Sequence, residues 1–227
     1  MYSINAVKAA IAHPEYTLKA AVLYPFLIKD ITYIKKSISG RFPASERQRY
    51  AHGASAGIKE VVLYALVRHC KPEIMIETGV AQGVSTYFIL KAMHDNGKGH
   101  LLSIDYPNRD PKGYTDEGGK QDNVYIPKGL DSGWLVPDAF KSRWKLMLGR
   151  SMDILEKIRA KKIDAFFHDS DHSYRNMMAE LDWAARHVKR GGIIIADDTL
   201  RNSAWDESCA KFRWERISSP ISAAKQT

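Results

Sequence analysis

The apolar run Ile74-Met75-Ile76 leads directly into Glu77-Thr78-Gly79-Val80-Ala81-Gln82-Gly83-Val84-Ser85-Thr86, and then into the helical pattern Tyr87-Phe88-Ile89-Leu90-Lys91-Ala92-Met93. A strand, a turn carrying two glycines and a helix in immediate succession form a crevice where a ligand can approach bare backbone at a helix N-terminus. Gly79 and Gly83 suit that approach, because a Cβ would clash or forbid the φ the turn needs. Glu77, at the strand's carboxyl end, is expected to point an acceptor into the same crevice.

The pattern then recurs. Leu101-Leu102-Ser103-Ile104 ends in Asp105, Trp144-Lys145-Leu146-Met147-Leu148 ends at Gly149, the run from Ile163 to Phe167 enters His168-Asp169-Ser170-Asp171-His172, and Ile193-Ile194-Ile195-Ala196 ends in Asp197-Asp198. These runs are nearly continuous rather than alternating, as expected when helices cover both faces of a sheet. Helical spacing between them (Ile58 to Leu66; Ile154, Leu155 and Ile158; Met177 to Ala184) predicts an α/β fold with a doubly wound, mostly parallel sheet. Ser151 or Asp153 is expected to cap the helix after the third strand. Lys189-Arg190-Gly191-Gly192 reads as a helix stop and turn. The tail from Asn202 offers one more helix, a strand around Phe212–Ile217, and then a frayed end.

At 227 residues the chain has room for one such domain, over residues 53–227, plus an appendage. Residues 1–52 read as helices punctuated by Pro14, Pro25, Gly40 and Pro43, serving as a lid, a dimerisation segment or plain packing. Residues 106–140 are rich in Gly, Pro, Asp and Lys, and leave from the ligand-binding edge of the sheet, which suits a substrate-binding or lid loop. Within it, Trp134 either stacks on a substrate or pins the loop to the core. The net charge of +8 would suit an acidic partner, but the basic residues are scattered in short pairs such as Lys35-Lys36, which argues against nucleic acid. Cys70 and Cys209 lie far apart, excluding a disulfide scaffold and fitting a reducing, cytoplasmic setting. The apolar run from Ala20 to Ile28 is far short of the ~20 residues a membrane span needs.

Chemistry is carried by the acids at the strand ends. Folding alone does not require carboxylates gathered on one edge, because like charges repel and raise one another's pKa. A divalent cation would resolve the conflict, and Asp169, Asp197 and Asp198 are hard oxygen ligands suited to Mg²⁺; the plainer alternative makes them helix caps and turn residues. His172 follows Asp169 by three residues, close enough to act as a general base beside a cation-held oxygen. His168 looks structural. Asp105, a little over twenty residues beyond Gly83, suits ribose hydroxyls, or else simply starts the turn at Tyr106-Pro107. A dinucleotide fingerprint would need glycine at 81 and 84, where the chain has Ala81 and Val84; this weakens hydride transfer and suits a mononucleoside.

Together, the stretch from Glu77 to Thr86, Ser103-Ile104-Asp105, Asp169-Ser170-Asp171-His172-Ser173-Tyr174, and Gly191-Gly192 with Asp197-Asp198 resemble class I S-adenosylmethionine-dependent methyltransferases. More narrowly, they are similar to the branch of macrocin-type sugar O-methyltransferases and cephalosporin-hydroxylase-like proteins, over about residues 50–200. The resemblance implies that Glu77, Thr78, Gly79 and Gly83 line the methionine end of S-adenosylmethionine, with Ser85 hydrogen-bonding nearby. It implies that Asp105 holds the ribose, Ser151 lies near adenine, and Asp169 serves cofactor, Mg²⁺ and catalysis together. Asp197 and Asp198 would complete the metal site, and His172 would deprotonate a small hydroxylated acceptor. Ala81 departs from the family's glycine, and the tail is short for its final strand pair. The readings from other classes are a nucleic-acid or ribosome-associated methyltransferase, and a non-catalytic protein that binds the cofactor only.

Overall fold

The computed structural model describes residues 14–42, 57–110, 112, 114–115, 119, 121–122, 124–159, 162–218 and 221–227. Helix α1 (Pro14–Arg41) and α2 (Ile58–Cys70) precede strand β1 (Ile74–Thr78), α3 (Val84–Asp95) and β2 (His100–Asp105). A small hairpin, β3 (Tyr114–Thr115) and β4 (Gln121–Asp122), is followed by α4 (Asp138–Lys141), β5 (Trp144–Leu148), α5 (Ser151–Leu155) and β6 (Ile163–His168). Then come α6 (Tyr174–His187), β7 (Val188–Ala196), α7 (Ala204–Phe212), β8 (Glu215–Ser218) and β9 (Ser222–Lys225). The main sheet has seven strands in the order β5-β2-β1-β6-β7-β9-β8. The first five run parallel, and β9 runs antiparallel to both β7 and β8.

Side chains alternate across each strand, and two cores result. Met75, Phe167, Ile193 and Ile195 face α1, α2 and α3 in one; Ile76, Phe166, Ile194 and Ala196 face α5, α6 and α7 in the other. The sheet is therefore doubly wound, as the continuous apolar runs predict. Among the described residues, no helix is long and apolar enough to cross a membrane.

Four expectations about the fold need correction. Pro25 and Gly40 do not interrupt the N-terminal region, since α1 runs through both for 28 residues; Pro43 and the rest of the 1–52 segment beyond α1 and Phe42 lie outside the described residues. Lys189–Gly192 is not a loop, because β7 begins at Val188 and the Gly191 N–H donates to the Gln226 carbonyl. Nor does the tail fray: β9 fills the slot between β7 and β8, with Ala223 and Ala224 only 1% and 0% exposed, so the final strand pair is formed. Residue 151 opens α5 but does not cap it; the N-cap is Arg150, with no side-chain cap. By contrast α6 is capped as a serine would cap it, the Ser173 hydroxyl accepting from the Asn176 N–H.

The glycine turn is held from three sides. Gly79 has φ +84°, and a Cβ there would lie 2.0 Å from the Asp169 carbonyl oxygen. Gly83 has φ +91°, and a Cβ would meet the Gly133 Cα at 2.7 Å, because residues 131–136 dock onto the turn. In that docking the Gly133 N–H donates to the Ala81 carbonyl at 2.8 Å and the Leu135 N–H to the Gln82 carbonyl at 3.1 Å. Trp134 donates to the Gln82 side chain and packs edge-on to Phe42 under Arg41, so it pins the loop. Helix α1 braces the same loop, with the Tyr33 hydroxyl 3.5 Å from the Leu135 carbonyl. Ala81 takes φ +47°, a left-handed conformation that costs a residue with a Cβ about 1–2 kcal/mol.

Beneath the turn, Glu77 is 0% exposed and accepts from Ser103 (2.6 Å), Ser85 (2.8 Å) and Thr86 (2.8 Å). Burial pushes its carboxyl up to about 7, against the three hydroxyl bonds, which favour the ionised form. On the other face Glu180 of α6, also 0% exposed, accepts from Thr78 (2.5 Å) and Ser170 (2.7 Å) and pairs with His168 Nδ1 at 2.7 Å. Burial would raise that carboxyl, but the charge and hydrogen bond of His168, with the Ser151 and Thr78 hydroxyls, outweigh it and hold it at about 2. This buried cluster clamps the ends of β1 and β6 to α6.

Two expected outcomes follow. Gly83→Ala combines left-handed strain with a backbone collision and is expected to cost about 2–4 kcal/mol. Gly97→Ala, at φ +70° with nothing within 4 Å, should show the strain alone, about 1–2 kcal/mol; urea midpoints separate the two. Because Glu77 binds its proton more tightly when folded, stability falls as pH rises from its ordinary 4.5 through about 7. Glu77→Gln should remove that slope from the pH dependence of the unfolding midpoint.

Candidate active site

The carboxyl ends of β1, β2, β5, β6 and β7 open onto one cleft of about 1050 Å³, large enough for two small reactants together. Gly79, Ser85, Asp105, Ser151, Asp169 and His172 line it, as do Asp197 and Asp198. Glu77, Thr78 and Gly83 do not line it. Strand alternation sends Glu77 under α3 and Thr78 toward Glu180, so Glu77 does not point its acceptor into the crevice. Gly83 faces Gly133.

Asp105 is 7% exposed. Its Oδ1 accepts from the Val80 N–H at 3.0 Å and its Oδ2 from Ser132 Oγ at 2.5 Å. A carboxylate has about four acceptor positions, so it keeps capacity toward the cleft. Ser85 reaches the cleft while donating to Glu77, and Ser151 lines it from the start of α5.

Asp169 Oδ1 lies 3.8 Å from His172 Nε2. Burial first, then the neighbouring Asp197 and Glu77, push the Asp169 carboxyl well above the usual range. His172 is 7% exposed, and both of its ring nitrogens are buried without a hydrogen-bond partner. Burial, with His168 edge-on at 5.4 Å, lowers it to about 4, so it is a neutral imidazole at neutral pH. A neutral, unpartnered imidazole on a cleft wall can take a proton.

Among the described residues no three His, Cys, Asp or Glu side chains converge closely enough to hold a metal ion. Instead, Lys59 Nζ lies 2.7 and 3.0 Å from the two Asp197 carboxylate oxygens and 3.7 Å from Asp198 Oδ1, while Arg201 Nε is 3.6 Å from Asp198 Oδ2. The donor chemistry still fits Mg²⁺, which is held by one or two carboxylates with water and substrate oxygens more often than by an all-protein cage.

Sequence reasoning missed Lys59, Ser132 and Arg201. Lys59 is 138 residues from Asp197, and nothing local marks it. Glu180 left a signal, a lone acid on the apolar face formed by Met177, Leu181 and Ala184.

Residues 76–199 match the family described as a methyltransferase domain. A catechol O-methyltransferase from Niastella koreensis is 26% identical over 143 residues, which are 62% of this chain and 55% of the relative. The chain thus spans about half the length of the curated relative it matches. The O-methyltransferase TomG from Streptomyces achromogenes, involved in tomaymycin synthesis and solved in complex with SAM, shares 13% identity at a TM-score of 0.53, covering 88% of this chain and 96% of that one. An O-methyltransferase from Bacillus cereus in complex with SAH shares 15% at a TM-score of 0.52, covering 92% and 99%. At such identities the likeness speaks for the fold. The family match, however, takes in more than half of the chain, from the glycine turn to the acidic pair after β7, and this chain belongs to the methyltransferase domain family.

Proposed function

We propose that the chain transfers a methyl group from S-adenosylmethionine to the hydroxyl oxygen of a small acceptor, a sugar or a phenol- or polyketide-like metabolite. The observation that carries this reading is that Asp105 and the His172–Asp169 pair line the same cleft. S-adenosylmethionine, when bound, supplies a methyl group made electrophilic by its sulfonium. Gly79 lines the cleft where its missing Cβ lets the Asp169 backbone pack against the turn, Asp105 accepts from the ribose hydroxyls, and Ser85 and Ser151 offer further polar contacts.

His172 takes the acceptor's proton, and the Asp169 carboxylate stabilises the imidazolium that forms. Asp169, Asp197 and Asp198 are the residues that would hold a Mg²⁺, whose chemistry there is to offset negative charge developing on the acceptor oxygen. Residues 106–140 contribute Tyr106, Arg109, Tyr125 and Ile126 to the wall, which supports an acceptor-facing role for this loop. The main contribution of such a site is positioning.

Two variants test the division of labour. Asp105→Ala is expected to weaken S-adenosylhomocysteine binding about 10- to 100-fold by calorimetry, the value of a hydrogen bond to a charged group. His172→Ala should leave that affinity unchanged and lower kcat about 10²–10⁴-fold with labelled S-adenosylmethionine and a panel of catechols and hydroxylated sugars. Full turnover by His172→Ala would discard the general-base assignment, and native affinity in Asp105→Ala the ribose one.

A further inference from the structure

Lys59 stands in the first turn of α2, far from the strand ends in sequence, yet the fold brings its ammonium onto both oxygens of Asp197, at 2.7 and 3.0 Å, and within 3.7 Å of Asp198. The side chain is 43% exposed, so its stem can swing, while Asp197 is 21% exposed and lines the same cleft as Lys59. Nothing in local helix formation calls for this. Lys59 lies near the N-terminus of its helix, where the dipole favours an acid, and Glu60 next to it supplies one by closing the turn onto the Gly57 N–H at 2.5 Å. The lysine is placed by its partners across the cleft.

We infer that Lys59 is the resident counter-ion of the acidic pair, and that a divalent cation enters this site only by displacing its ammonium. The inference rests on the cation reading given under the proposed function. An ammonium chelated by both oxygens of a carboxylate occupies the side from which a cation would bind. Two positive charges a few ångströms apart in a partly desolvated cleft repel strongly. The exchange keeps the acids neutralised when the cleft holds no metal, and it weakens the cation's grip on the bare protein. A cation is then retained best when an acceptor oxygen adds another ligand.

The test is direct Mn²⁺ binding to the full chain, measured without acceptor by calorimetry and by the loss of the free-ion electron paramagnetic resonance signal. Lys59→Met keeps the stem and removes the charge, and is expected to bind Mn²⁺ at least tenfold more tightly than the native protein. Lys59→Arg, which keeps the charge, should stay near native affinity, and Asp197→Asn should lose most of it. Thermal melting gives a second readout: Lys59→Met should gain more in Tm from Mn²⁺ than the native chain does. If Lys59→Met fails to fold, Lys59→Gln, with a donor but no charge, carries the same expectation. Unchanged or weaker binding in the neutral variants, with the native chain still binding, overturns the role of Lys59 alone. Absence of Mn²⁺ binding in native and variant chains alike removes the cation from the proposed function and the exchange with it.

Discussion

The site depends on backbone passing backbone at a distance only a hydrogen can fill. The end of β1 and the segment after β6 come so close that a Cβ on Gly79 would sit 2.0 Å from the Asp169 carbonyl oxygen. That approach sets Asp169 and His172 beside the glycine turn. On its far side, Gly83 meets Gly133 in the same way and brings Ser132 to Asp105. The buried Glu180 cluster then holds the crossing shut, tying Thr78 and His168 from adjacent parallel strands to one carboxylate on α6. Leaving a buried carboxylate short of such a partner costs about 1–3 kcal/mol, so the geometry of the cleft and the stability of the sheet are the same interaction seen from two sides.

Much of this was legible in the sequence because it is local. Apolar runs of three to five residues, followed by an acid, a glycine or His168-Asp169, announce parallel strands with a functional edge, and the positions of Asp105, Asp169 and Asp197-Asp198 follow from connectivity alone. The direction of Glu77 was misjudged, although strand parity carries it. It shares a strand face with Met75, which packs under α1–α3, so it points at Ser85 and Thr86 rather than into the cleft. Thr78 shares a face with Ile76 and so meets Glu180.

What escaped the sequence was set by partners distant along the chain. Ser222-Ala223-Ala224-Lys225 has little intrinsic preference for a strand, yet it pairs with both β7 and β8 and buries Ala223 in one core and Ala224 in the other. Tertiary context overrides propensity in the same way at α1, where Pro25 lies inside a helix whose Leu27, Ile31, Ile34 and Ile38 anchor it to the core. Lys59 and Ser132 were invisible for a further reason: a single lysine or serine is unremarkable until folding shows which carboxylate it meets.

Four of the aspartates that line the cleft, Asp105, Asp169, Asp197 and Asp198, are alike in sequence and unlike in their compensation, and that difference is the more useful guide to chemistry. Asp105 is satisfied by turn amides and Ser132, which makes it a fixed acceptor. Asp197 and Asp198 share Lys59, with Arg201 near the second, and so behave as an exchangeable ion-pair set. Asp169 is the most burdened, crowded by burial and by Asp197, with only distant help from Lys59 and a neutral imidazole 3.8 Å away. A carboxylate in that condition gains most from any positive charge arriving beside it, including a proton taken up by His172. Under the proposed function the base and its acid would be coupled: a proton taken up at the imidazole would give the crowded Asp169 carboxyl a positive partner 3.8 Å away and so relieve repulsion within the cleft.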